Sequence, residues 1–76
     1  QDLTKQHYSN VYIEIDKSNN LNELYKVINQ KGNSLIKISV KEGEKNYLFE
    51  LKEKRKIDHE ILNILNKEHY IKKINV

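Results

Sequence analysis

The stretch "EKNYLFELK", Glu44 to Lys52, carries the reading on which the fold turns. Lys45, Tyr47 and Phe49 alternate with Asn46, Leu48 and Glu50, the period of two that sends successive side chains to opposite faces of a strand. Tyr47 and Phe49 either stand on an open face, where rings could stack nucleic-acid bases, or point with Leu51 into a core. Just before them "KEGEK", centred on Gly43, is a hairpin turn. It joins this strand to an earlier one, Leu35 to Lys41, with Ile36, Ile38 and Val40 on one face and Lys37, Ser39 and Lys41 on the other.

An RNA-recognition motif places its stacking aromatics on the open face of a four-stranded sheet. With that orientation Tyr47 and Phe49 are exposed, and Leu48 and Glu50 are buried beneath the helices. An unpaired buried carboxylate is costly enough to disfavour this. The residues favour the opposite arrangement: Tyr47, Phe49 and Leu51 face the core, and the open face shows Tyr12, Glu14, Lys37, Ser39, Leu48 and Glu50. One tyrosine beside two acids is a poor stacking platform.

Working outward, "VYIEID" (Val11 to Asp16) alternates in the same way and reads as a half-buried strand. Asn20 is placed to cap a helix, with Glu23 three residues on as in a capping box. Leu21, Leu24, Tyr25, Val27 and Ile28 supply one apolar stripe over about three turns, and Gly32 sits where a left-handed cap would end it. After the quoted stretch, Asp58 caps a second helix, Ile57 is placed to staple onto Leu62, and Ile61, Leu62, Ile64 and Leu65 form its apolar side. Ile71 to Val76 closes the chain as a strand.

The order βαββαβ predicts an α+β, ferredoxin-like domain: a four-stranded antiparallel sheet with two helices on one face. The domain spans residues 11–76. Residues 1–10, almost wholly polar, read as a linker from a preceding domain, and a chain opening on Gln1 reads as part of a longer or processed protein.

Composition narrows the function classes. Seventy-six residues make one small core. There is no cysteine, hence no disulfide framework or thiolate metal site. No apolar run approaches a membrane span and no signal-peptide pattern opens the chain, so the expected setting is cytoplasmic. The net charge of +3 comes from thirteen lysines and one arginine, Arg55, against eleven acids, a mild excess for a nucleic-acid binder.

The one dense basic run is "KEKRK", where Lys52, Lys54, Arg55 and Lys56 are candidates for phosphate contact; taken alone, the run is better accounted for as a solvated strand end. His7, His59 and His69 lack a second ligand at metal-binding spacing. No serine–histidine pair or glycine-rich phosphate loop is present, and Asp58 and Glu60 suit a helix N-terminus. No catalytic residue, metal site or cofactor is expected.

The succession of elements resembles the C-terminal domain of the α (catalytic) subunit of bacterial replicative DNA polymerase III. "LNELYKVINQKG" matches its Leu-rich helix ending in glycine, and "SLIKISV" the strand that follows. "KEGEK" matches its acidic turn, "NYLFELKEK" the next strand, "IDHEILNILNKE" the last helix and "YIKKINV" the terminal strand. Relatives often carry a glycine before that strand, where this chain has "KEHY".

The resemblance covers residues 11–76 and implies a non-catalytic domain, the parent's metal-binding carboxylates lying far upstream. It implies tethering to the τ subunit of the clamp loader, near the sliding clamp and DNA, through a surface drawn from His69, Tyr70, Lys72, Lys73, Asn75 and Val76. Two other classes fit the same topology, a single-stranded nucleic-acid binder of the RNA-recognition type and an ACT-like regulatory domain.

Overall fold

Val11, Ile13 and Ile15 are at most 1% exposed, and so are Ile36, Ile38 and Val40. In the computed structural model, which describes residues 8–76, these two sets lie side by side. Strand β1 (Asn10–Asp16) pairs in parallel with β2 (Lys31–Glu42), matching Val11 with Ile36, Ile13 with Ile38 and Ile15 with Val40. A 3₁₀ turn over Ser18–Asn20 and helix α1 (Leu21–Val27) make the crossover between them. Strand β3 (Lys45–Glu50), helix α2 (His59–Asn66) and strand β4 (Ile71–Asn75) complete the chain. The sheet order is β3-β2-β1-β4.

The protein is therefore α+β, with a four-stranded mixed sheet and two helices. Leu24 and Ile28 from the α1 end and Leu65 from α2 join the β1 and β2 side chains in one core, so both helices cover the same face. The antiparallel ferredoxin-like sheet expected from the element order is corrected here. That topology inserts β3 between β1 and β2, whereas here β1 and β2 are direct parallel neighbours and β3 lies at the edge.

The side chains give the reason. A parallel pair belongs in the buried centre of a sheet, and the two strands richest in buried β-branched residues take that place. Strand β3, with Asn46, Leu48 and Glu50 on its other face, is better suited to a half-solvated edge.

The hairpin between β2 and β3 forms as expected. Glu42 pairs with Lys45 across a two-residue loop, and Gly43 has φ +66° at its first position, the backbone of a II′-type hairpin. The Asp58 side chain accepts a hydrogen bond from the Ile61 amide at 2.9 Å and caps α2. Ile57 and Leu62 both reach the core.

Three local expectations are corrected. The Asn20 side chain makes no cap; its Nδ2 donates instead to the Asp16 carbonyl, and the 3₁₀ turn feeds straight into α1. Helix α1 is only seven residues long. Gly32 lies inside β2, not at a helix end, and its φ is not positive. A Cβ there would stand 2.4 Å from Lys56 Cα and 2.7 Å from the Arg55 carbonyl carbon, so glycine is needed for close approach of two backbones. Of the expected linker, residues 1–7 lie outside the described residues; Ser9 already joins the domain, its carbonyl accepting from Leu35 N at 2.8 Å.

Candidate functional site

Two outer surfaces gather the residues singled out by sequence. The first is β4, one edge of the sheet. It pairs antiparallel with β1, Tyr12 opposite Asn75, Ile13 opposite Ile74 and Glu14 opposite Lys73, with a register shift between Glu14 and Ile15. Ile71 and Ile74 turn toward the core, which leaves Lys72, Lys73 and Asn75 exposed along the strand and Val76 63% exposed just beyond it. His69 is exposed and stands edge-on to Tyr70, ring centroids 5.9 Å apart at 80°.

Tyr70 itself is a core residue, 4% exposed. Its hydroxyl is buried without a hydrogen-bond partner. Burial, followed by the nearby charges of Glu68 and Glu23, raises its pKa above the ordinary 10.0. Of the residues singled out in this part of the chain, His69, Lys72, Lys73, Asn75 and Val76 are the exposed ones.

The second surface is the segment after β3. Here the four basic candidates separate. Lys52 and Lys54 are exposed on either side of Glu53. Lys56 lies 3.8 Å from the Asp58 carboxylate. Arg55 turns inward: its Nη1 donates to the Ile28 carbonyl at 3.1 Å, at the C-terminal end of α1, and its backbone bridges to Lys31 and Ser34 of β2. The one guanidinium of the chain is spent on the fold, and the basic run presents lysines alone.

The open face of the sheet is a lattice of mixed charge. One row across the strands reads Lys73, Glu14, Ser39, Leu48, and the next reads Asn75, Tyr12, Lys37, Glu50. Lys41 pairs with Glu14 at 3.7 Å and Lys72 with Asp16 at 3.9 Å. The Tyr12 hydroxyl donates to Glu14 at 3.1 Å. A base stacked on Tyr12 would thus meet a carboxylate beside it.

Tyr47 and Phe49 lie on the other face. They are opposite Val40 and Ile38, whose side chains are in the core. Phe49 and Leu51 pack against that core, but Tyr47 is 47% exposed because β3 has no neighbour on its outer side. The inward orientation of these aromatics was legible in the alternation. The exposure of Tyr47 was not, because it follows from β3 lying at the edge.

His59 is exposed at the start of α2, and His7 lies outside the described residues. Among the described residues no group of three or more His, Asp or Glu side chains is placed to hold a metal ion, and no helix is long and apolar enough to cross a membrane. No protein-family model matches the chain, and no curated protein is significantly similar to it.

Proposed function

We propose that this chain is a non-catalytic interaction domain of the kind that closes the α subunit of bacterial replicative DNA polymerase III, acting in the cytoplasm to tether the polymerase to the τ subunit of the clamp loader. The observation that carries the binding role is the placement of residues 71–75 as an outer strand whose polar side chains, Lys72, Lys73 and Asn75, are exposed beside Val76. Lysines on an edge strand discourage the addition of another strand, so recognition here runs through side chains, with an acidic surface as the complement. The polymerase assignment rests on the order and spacing of the elements, from the Leu-rich helix to the terminal strand, and τ as partner rests on that resemblance.

A secondary contact with DNA near the sliding clamp falls to Lys52 and Lys54, both exposed. It supplies weak, sequence-independent affinity. The RNA-recognition alternative loses support because Tyr12 and the Tyr47–Phe49 pair occupy opposite faces of the sheet. The ACT-like alternative loses the shared ferredoxin-like strand order on which it was based.

The test is capture of purified τ by the immobilised chain. Binding that is lost in the Lys72→Glu, Lys73→Glu double variant supports the reading. Failure of the wild-type chain to retain τ at micromolar concentrations overturns it.

A further inference from the structure

The two edges of the sheet are built differently. Strand β4 carries consecutive lysines and a register shift in its pairing, both of which deter an incoming strand. Strand β3 has neither. Its pairing with β2 runs without a shift from Lys45 to Glu50, and its centre is Tyr47-Leu48-Phe49. Leu48 is 67% exposed on the open face and Tyr47 47% exposed on the helix face. On the helix side Tyr47 and Phe49 line a shallow apolar groove with Leu21 and Val40.

The backbone of this edge is available too. The Leu51 amide donates to the Ile36 carbonyl at 3.0 Å, so Leu51 points its polar groups at β2. Alternation along an antiparallel strand then turns those of Phe49, Tyr47 and Lys45 the same way, and those of Asn46, Leu48 and Glu50 outward.

We infer that the outer edge of β3 is a self-association site, where a second copy of this chain adds antiparallel across a two-fold axis through Leu48 and continues the sheet. This is independent of the τ-binding reading, which uses the opposite edge. Charge and side-chain order select the register. With the axis on Leu48, the two Leu48 side chains meet on the open face and each Tyr47 faces Phe49 of the second copy across the helix side, an aromatic pair of the kind that stabilises sheets. Glu44 and Lys52, just beyond the strand ends, then fall opposite each other.

Moving the axis to Tyr47 sets Glu44 against Glu50, like charges directly opposed. Moving it to Phe49 sets Leu48 against Glu50 and leaves only Leu48 to Glu50 of each strand paired. Of the three, only the Leu48 register sets Leu48 against Leu48 and Tyr47 against Phe49, with Glu44 opposite Lys52 and no like charges directly opposed.

Cysteine scanning reads the register directly, since the chain has no thiol of its own. Directly opposed residues in such a ladder have Cα atoms ~5.5 Å apart, inside the range a disulfide spans. Two Glu50 residues would be about 14 Å apart, out of reach. Mild oxidation is expected to convert Leu48→Cys, but not Glu50→Cys, to a covalent dimer. Without oxidation, sedimentation should show concentration-dependent dimers of the wild-type chain, weakened at least ~10-fold by Leu48→Lys. Glu44→Lys should weaken them as well, and the Glu44→Lys, Lys52→Glu double variant should restore them.

Leu48 and Glu44 are exposed, so unchanged circular dichroism will confirm that these variants fold. A wild-type chain that stays monomeric up to ~1 mM, or equal cross-linking at both cysteine positions, overturns the inference.

Discussion

The guanidinium of Arg55 donates to the carbonyl of Ile28, twenty-seven residues earlier, at 3.1 Å. A residue inside the most basic run of the chain thus closes the C-terminal end of α1, where a free carbonyl and the negative end of the helix dipole favour a cation. Arg55→Ala should destabilise the fold by about 1–3 kcal/mol, because it strands a half-buried carbonyl and removes a charge-assisted hydrogen bond. Lys52→Ala and Lys54→Ala should leave the denaturation midpoint in place. They should instead lower the salt dependence of single-stranded DNA binding by ~0.7 per charge removed. Urea denaturation and binding titrations in graded salt separate the two behaviours, and an Arg55→Ala variant as stable as wild type would remove the structural role.

Gly32→Ala tests the close approach of β2 to the segment after β3. Its Cβ would lie 2.4 Å from Lys56 Cα and 2.5 Å from Lys56 N, both backbone atoms that cannot swing aside. The expected loss is on the order of 3 kcal/mol or more, in the range of severe overpacking. Gly43→Ala meets no atom within 4 Å and suffers only from its φ of +66°, so its loss should be smaller, about 1–2 kcal/mol. Equal losses at the two glycines would contradict this account.

Tyr70 carries a buried hydroxyl with no partner and a pKa raised above 10.0. The folded state therefore holds the phenolic proton more tightly than the unfolded chain does. Its contribution to stability is fully present below the unfolded value and is lost as pH rises through about 10 toward the folded pKa. Tyr70→Phe should abolish that part of the alkaline slope. At neutral pH it should be neutral or stabilising by up to ~1 kcal/mol, since it removes an unsatisfied polar group while keeping the ring. Thermal melts between neutral and alkaline pH provide the comparison, and a marked loss of stability in the phenylalanine variant would point to a hydrogen bond made by the hydroxyl.

Lys17 is the one non-glycine residue at positive φ among the described residues, at φ 70° and ψ 136°. It is held there by its amide bonding to the Lys41 carbonyl at 2.8 Å and its own carbonyl accepting from Asn20 N at 3.2 Å. Side chains are strained in this region, and glycine is not. Lys17→Gly should stabilise the domain by roughly 1 kcal/mol after the added freedom of the unfolded chain is deducted. Denaturant midpoints decide it; a destabilised variant would mean that the lysine stem contributes packing that outweighs the strain.

The parts legible in the sequence are those encoded between near neighbours. "VYIEID" fixes its own buried face because Val11, Ile13 and Ile15 alternate with polar residues. Gly43 marks its own turn, and Asp58 reaches only as far as Ile61. Gly32 and Asn20 misled because the same residue types serve two purposes: a glycine suits a helix cap or a tight backbone crossing, and an asparagine can cap forward or bond back to Asp16.

Strand order was not legible at all. Period two states which way Ile36 and Phe49 face and says nothing about which strand lies beside β1. That depends on how much apolar surface each strand can bury between two neighbours. The same gap explains the candidate surfaces: the joint exposure of adjacent Lys72 and Lys73 depends on the register shift between β4 and β1, and the inward turn of Arg55 on a carbonyl far away in sequence.

The position of β1 between β2 and β4 also sets an order of events as the chain is made. Residues 10–51 contain everything needed for the β1–β2–β3 portion of the sheet, but Tyr12 must wait for Asn75 before its other side is paired. Strand β4, the last of the four to be synthesised, thus completes the neighbourhood of the first, by the longest loop closure among the paired strands. Such a strand, joined through a shifted ladder and flanked by water, is expected to be the first to open. Amides of β4 should exchange with solvent faster than those shared by β1 and β2, and equal protection of Lys73, opposite Glu14, and of Ile13 would show that the sheet opens only as a whole.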